Sequence, residues 1–216
     1  MLAFYRSTVG KKIIMAVTGV IGIAFVILHM AGNLQLFAGR QKLNDYAAML
    51  HGPLHEVVLL QRAVLIIAVV LHVLMAWQLT VRNRAARPVG YVRRDPQVST
   101  WAARTMRWGG VFLLVFIVLH VLHFTTLDLD RSFFPLDAYG NLVKAFTSPL
   151  VAVLYLAAMI FLGLHLYHGA WSSARTLGVA QPTRWPLRRK TALVIALLLW
   201  LGFSAVPVAI VLGLVR

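Results

Sequence analysis

With 216 residues, a hydrophobic share of 60%, only 12% charged residues and a mean hydropathy of +0.80, the chain has more apolar surface than a soluble core of this size can hide. Twenty-one basic residues stand against 6 acidic ones, a balance that suggests nucleic acid until its distribution is seen. There is no cysteine, which excludes thioether-linked heme, iron–sulfur ligation and disulfides and leaves nitrogen and oxygen as the only metal donors.

Five apolar runs follow one another, at about 13–37, 57–81, 108–127, 149–171 and 192–215, each reaching the roughly 20 residues that a membrane-spanning helix requires. They predict an all-α membrane protein, a five-transmembrane-helix bundle forming one membrane domain over residues 1–216, with no linker or repeat to divide it. The first run begins behind Lys11 and Lys12, but it is too long for a signal-peptide core and lacks a convincing small-residue cleavage site, so a retained helix is expected.

The connections carry the charge. Arg6, Lys11 and Lys12 precede the first run; Arg82, Arg84, Arg87, Arg93, Arg94, Arg104 and Arg107 fill the second connection; Arg175, Arg184, Arg188, Arg189 and Lys190 fill the fourth. Fifteen of the 21 basic residues thus fall on one side, which predicts a cytoplasmic N-terminus, an outer C-terminus and a multi-pass protein of the cell inner membrane. Anionic lipid headgroups account for most of these arginines better than nucleic acid does. Trp77, Trp101, Trp108, Trp171 and Trp185 gather at the same boundary, and the turn-rich loop from Asp128 to Ser148 is expected outside.

Of the six acids Asp45, Glu56, Asp95, Asp128, Asp130 and Asp137, none lies deep in a run. That argues against an ion-coupled transporter, which commonly needs an intramembrane carboxylate or a broken helix, and excludes a carboxylate-bridged di-iron site. Histidine is what the runs contain instead. His29, His72, His120 and His165 each sit in the interior of a different run, with His123 and His168 three residues beyond two of them, and the fifth run has none. An ionisable side chain in hydrocarbon needs a partner, and neutral imidazole is a good iron ligand.

Counted at 1.5 Å per residue from the basic end, His29 lies at about 24 Å and His120 at about 18 Å, while His72 and His165 both lie near 10–15 Å. The four sort into an outer pair, His29/His120, and an inner pair, His72/His165, each suited to hold one heme iron between facing helices. Depth does not choose between His120 and His123, and slightly favours His123. Gly32 and Gly169, on the faces of His29 and His165, would admit a flat ring, although ordinary small-residue packing explains them better. Zinc at either i, i+3 histidine pair lacks the further donors that a stable site needs.

Read in order, GKKIIMAVTGVIGIAFVILHMAGNLQLF, LHVLMAWQLTVRNRAARPVGY, FIVLHVLHF and LHLYHGAWSSARTLG resemble the single-chain, five-helix, diheme cytochrome b membrane anchor of succinate dehydrogenase and fumarate reductase. The resemblance covers nearly the whole chain. It implies two b hemes with axial ligands at His29, His72, His120 and His165, and leaves His123 and His168 as residues beside the ligands. It further implies a cytoplasmic flavoprotein subunit that oxidises succinate, an iron–sulfur subunit that collects the electrons, and a membrane quinone, most often menaquinone, that this chain reduces. No dicarboxylate site, flavin fingerprint or nucleophile–base pair is visible here, so the chain itself is expected to carry electrons within a respiratory, tricarboxylic-acid-cycle complex. The cytochrome b of a hydrogenase or formate dehydrogenase is the nearest alternative, and a heme-free histidine-relay transporter a more distant one.

Quinone reduction consumes two protons, so its site needs an apolar slot, a nearby electron donor and titratable groups that reach water. His51, His55, Glu56 and Arg62 supply such groups where the first outer loop meets the second run, and Glu56 is the leading candidate. For each of these residues taken singly, a solvated loop with Arg62 reaching to headgroups is the plainer reading.

Overall fold

The computed structural model describes residues 2–86, 101–130, 132–179 and 185–216. Most of the basic connection expected between the second and third runs, with Arg87, Arg93, Arg94 and Asp95, lies outside them, as does Arg184. Among the described residues every regular element is helical. A short α1 (Leu2–Arg6) leads into α2 (Thr8–Asn33), which a 3₁₀ turn (Leu34–Ala38) extends; α3 (Arg40–His51), α4 (His55–Ala85), α5 (Trp101–Phe124), α6 (Ala138–Phe146), α7 (Pro149–Thr176) and α8 (Trp185–Val211) follow.

Five of these, α2 with its 3₁₀ extension, α4, α5, α7 and α8, are long and apolar enough to cross a bilayer, and the protein is a multi-pass membrane protein. Their outer surface is apolar, with Leu28, Leu60, Ile66, Leu150 and Leu198 exposed, as lipid-facing side chains are. The inward faces carry small residues: Ala16, Ala68, Ala152, Ala158, Ala196 and Ala209 are buried and let the helices approach closely.

Helices α5 and α8 run past their expected boundaries at one end and stop short at the other. Helix α5 begins seven residues before the third apolar run and ends at Phe124, short of Leu127. Leu127 takes a left-handed φ of 61°, and the Asp128 amide returns to the Leu122 carbonyl at 3.0 Å, closing the helix before the polar loop. Helix α8 likewise starts at Trp185, within the basic connection, and ends at Val211. At the start of α2, Ser7 caps the helix by accepting from the Gly10 amide at 2.8 Å.

The two ends of the bundle are tied differently. At the end holding the N-terminus, the N-end, Arg82 donates to the Arg6 carbonyl at 2.8 Å and Gln78 to the Tyr5 hydroxyl at 3.0 Å, fastening α4 to α1. At the opposite C-end, α3 and α6 pack together where the sequence suggested only loops. Asp137 caps α6 through the Gly140 amide at 3.2 Å, accepts from Asn44 at 2.9 Å and pairs with Arg40 at 2.6 Å. Asn44 in turn accepts from the Tyr139 amide at 3.0 Å, and the Tyr139 hydroxyl donates to the Arg216 carbonyl, which brings the C-terminus to this layer.

The transmembrane helices pack as a zigzag. Helix α4 lies against α2, α2 against α7, and α7 against α5, while α8 closes the back against α7 and α2. Neither α2 with α5 nor α4 with α7 forms a substantial packed interface. Two crevices therefore run between helices that are near each other without being joined.

Candidate functional site: two facing histidine pairs

Each crevice is bridged by one pair of imidazoles. His72 of α4 faces His165 of α7 with ring centroids 6.1 Å apart and planes inclined at 52°. His29 of α2 faces His120 of α5 at 5.7 Å and 80°. No hydrogen bond joins the two rings of either pair among the described residues. Axial metal–nitrogen bonds of about 2.0–2.1 Å, with about 1.1 Å more from each nitrogen to its ring centre, would separate two centroids by about 6.3 Å. Both pairs stand within half an ångström or so of that separation.

The pairs occupy different levels. His72 bonds the Met15 carbonyl, seven residues into α2, whereas His29 is fourteen residues further along the same helix, about 20 Å at helical rise. The nearer pair is the N-end pair, the further one the C-end pair.

Hydrogen bonding fixes which nitrogen of His72 is available. Its Nδ1 lies 3.1 Å from the Met15 carbonyl oxygen and 3.2 Å from Thr18 Oγ1. A carbonyl only accepts, so Nδ1 carries the proton and Nε2 keeps its lone pair, the state in which imidazole binds a metal. Thr18 spends its own proton on the Ile14 carbonyl at 2.8 Å, leaving its oxygen free to accept as well. Across the crevice, His165 Nδ1 is buried with no hydrogen-bond partner. Orphaned buried nitrogens are uncommon and need an explanation.

The C-end pair is held by an aromatic wall. Phe25 and Phe203 flank His29 with centroids at 5.3 and 5.7 Å, while Phe116 and Phe124 flank His120, both at 5.8 Å. Tyr155 of α7, only 8% exposed, sets its hydroxyl 3.4 Å from His120 Nδ1 and 3.0 Å from His123 Nδ1. One hydroxyl with a single proton serves both rings, so it donates to at most one of them and accepts from the other or from both. This makes His123 a neighbour of the pair through Tyr155. His168, three residues beyond His165, is half-buried on α7 towards the N-end.

Glycine contributes at a place the sequence did not single out for this purpose. A Cβ at Gly19 would stand 3.3 Å from His72 Cε1, and one at Gly110 3.9 Å from His165 Cε1, so the N-end imidazoles back onto bare helix. Gly32 packs instead on the Tyr46 ring, while Gly169 opens onto space with nothing within 4 Å.

No protein-family model, curated protein or solved structure matches this chain. The donor set must therefore speak for itself. Among the described residues no three His, Cys, Asp or Glu side chains converge as a self-sufficient cation site. Two facing imidazoles suit a metal that brings its other ligands with it in a planar ring. Direct edge-to-face packing of imidazoles meets the same separations. It does not explain the repetition across both crevices.

Near the C-end pair, a cleft of about 290 Å³ opens between α2, α3 and the start of α4. Leu28, Val57 and Val58 give it apolar walls, and Gln35, Tyr46 and Gln61 supply polar groups. His51, His55, Glu56 and Arg62 are exposed on the same corner of the molecule, and none of them lines the cleft.

Proposed function

We propose that this chain is a diheme cytochrome b that conducts electrons across the bilayer, the membrane anchor of a succinate:quinone oxidoreductase. The observation that carries the reading is the two imidazole pairs, each spanning a crevice, separated by about four helical turns along α2. The residues fit the group: His72 and His165 would hold one b heme, His29 and His120 the other. A heme held between two imidazoles in this way would supply one-electron transfer and would bind no substrate. The chain's own part is to fix the tautomer of His72 through Met15 and Thr18, to steer His120 through Tyr155, and to keep water from both crevices with apolar helices.

The basic N-end would face the cytoplasm and receive the iron–sulfur and flavoprotein subunits beside the N-end heme. Quinone would bind at the C-end, its ring in the cleft beneath Gln35, Tyr46 and Gln61, with Glu56, His51 and His55 relaying protons from water and Arg62 supplying a fixed positive charge beside them. The five-helix diheme resemblance favours menaquinone there.

Pyridine hemochrome analysis of the purified chain, expressed in heme-replete cells, tests the reading. Two b hemes per chain are expected, and clearly fewer would sink it. Identification of the co-purifying soluble subunits separates a succinate-oxidising complex from a hydrogenase or formate dehydrogenase. For the quinone site, Glu56→Gln in the assembled complex should leave succinate oxidation by a soluble dye and both hemes intact while quinone reduction falls about tenfold or more. Unchanged quinone reduction removes Glu56 from the proton path.

A further inference from the structure

Lys11 is the buried charge for which the reading so far has no use. It stands in the first turn of α2 and is only 2% exposed. Its ammonium bonds the side-chain oxygen of Gln78 on α4 and sits 4.1 Å above the centre of the Tyr5 ring. Both partners are neutral. They supply a hydrogen bond and a ring quadrupole, but no opposite charge. Lysine is almost never fully buried without such a charge, because removing an ammonium from water is costly.

The described residues hold no candidate for the missing anion. Asp45, Glu56, Asp128, Asp130 and Asp137 all belong to the C-end, and Asp95 lies outside the described residues. The nearby Arg82, bound to the Arg6 carbonyl, adds a second positive charge to the same end of α4.

Position identifies what the anion belongs to. Lys11, Met15 and Thr18 follow one another at i, i+4 and i+7 and share one face of α2. Met15 and Thr18 are the residues that bond His72, so Lys11 lies one turn, about 6 Å, towards the N-end from that contact. Gln78 lies six residues past His72 on the facing helix, in the same direction. The ammonium is thus held at the N-end mouth of the crevice where His72 faces His165.

We propose that Lys11 binds a propionate carboxylate of the heme in the N-end crevice, with Gln78 and Tyr5 fixing the ammonium in place. The inference rests on the diheme reading and adds to it the way round in which this heme sits: acid edge towards the basic end. A compensated propionate also makes the iron easier to reduce, since an unneutralised carboxylate stabilises the ferric charge.

Redox titration of the full-length protein tests this, with the N-end heme assigned from the spectrum of the His72→Ala variant. Lys11→Met should favour the oxidised N-end heme by about tenfold, a fall of about 59 mV in midpoint potential. The C-end heme should not move, and Lys11→Arg should restore most of the fall. Reconstitution of the wild-type protein with heme dimethyl ester, whose carboxylates are blocked, needs no mutation and covers the case in which Lys11→Met fails to accumulate. With the ester, wild type and Lys11→Met should titrate alike, the mark of a direct pair in a double-perturbation cycle. An N-end midpoint that Lys11→Met leaves unchanged in a two-heme protein overturns the assignment and leaves the diheme reading standing. A protein that binds no heme removes the diheme reading itself. A Lys11→Met shift that disappears in phospholipid-free detergent shows the anion to be a lipid phosphate, and also overturns the proposal.

Discussion

Around His29 and His120 the walls are aromatic, whereas around His72 and His165 they are bare helix, a threonine and a backbone carbonyl. Both pairs face each other at nearly one separation, so one donor geometry is reached by two kinds of support. At the C-end, the orienting group for His120 is the hydroxyl of Tyr155 on a neighbouring helix, and bulky rings fix the imidazoles by volume. At the N-end, the orienting group for His72 is a peptide oxygen, which no substitution removes, and the imidazoles are fixed by how closely α2 and α5 let them approach. The comparison teaches where each pair is vulnerable: the first to loss of a side chain, the second to gain of one.

The largest effects should come from the imidazoles themselves. On the proposed diheme reading, His72→Ala or His165→Ala should eliminate the N-end heme and spare the other, and His29→Ala or His120→Ala the reverse, read from reduced-minus-oxidised spectra. Each leaves an emptied pocket, so lower thermal stability should accompany the loss, on the order of 2–4 kcal/mol in the apo crevice. If His123→Ala abolished the C-end heme while His120→Ala retained both, the pairing seen here would not be the functional one.

Gly19→Val sharpens the contrast by adding bulk where the N-end has none. Its Cβ begins 3.3 Å from His72 Cε1, so the branched side chain must push the ring or part α2 from α4. Loss or marked weakening of the N-end heme alone is expected, with optical spectroscopy as the readout. An unchanged spectrum would show that this wall yields.

Deleting one hydroxyl at each pair gives a smaller and unequal response. Tyr155→Phe removes the partner shared by His120 and His123, and should shift the C-end potential by about 1 kcal/mol of reduction free energy, the scale of one hydrogen bond. Thr18→Val should do less to the N-end potential, because the Met15 carbonyl still holds His72 Nδ1. Equal shifts would deny the difference drawn between a side-chain and a backbone anchor.

The smallest effect concerns the C-end layer. Hydrogen bonds from Asn44 and the Gly140 amide, with Arg40 beside them, hold the Asp137 carboxyl below its ordinary value. A depressed carboxyl stabilises the fold above its unfolded value and loses that contribution as pH falls through the folded one. Wild type should therefore lose its advantage over Asp137→Asn below about pH 4, the ordinary carboxylate range. Thermal unfolding in detergent should show about 1 kcal/mol between them at neutral pH, the scale of a helix cap, and convergence in acid. A difference independent of pH would assign the effect to packing.

Much of this architecture is legible in the order of residues. The rise of a helix converts sequence position into depth, which is why His72 and His165, and His29 and His120, can be matched before any coordinates exist. Depth alone cannot turn a side chain, and so it left His120 and His123 open. In the structure it is His120 that faces His29, while His123 reaches the pair through Tyr155. Tyr155 escaped notice because a tyrosine in an apolar run looks like core. Its signal was its place, six residues into α7 and level with the end of α5. Helices α3 and α6 are amphipathic segments too short to register as spans, and their polar contacts, such as Asn44 with Asp137, join residues 93 positions apart. The cleft lined by Gln35, Tyr46 and Gln61 is likewise a product of α3 folding back over α2, which no local pattern announces.

The zigzag of helices has a consequence for how the protein is made. Each facing pair unites one helix from the first half of the chain with one from the second, α2 with α5 and α4 with α7. A ribosome delivers α2 and α4 well before their counterparts, so neither crevice exists until the later helices have entered the bilayer. The C-end histidines are both present once α5 is in place, but α7 is the helix that joins α2 to α5, and it also brings His165 to the N-end pair. Both sites thus wait on α7, and the C-end one also on Phe203 of α8, so capture of whatever the crevices hold comes late in synthesis.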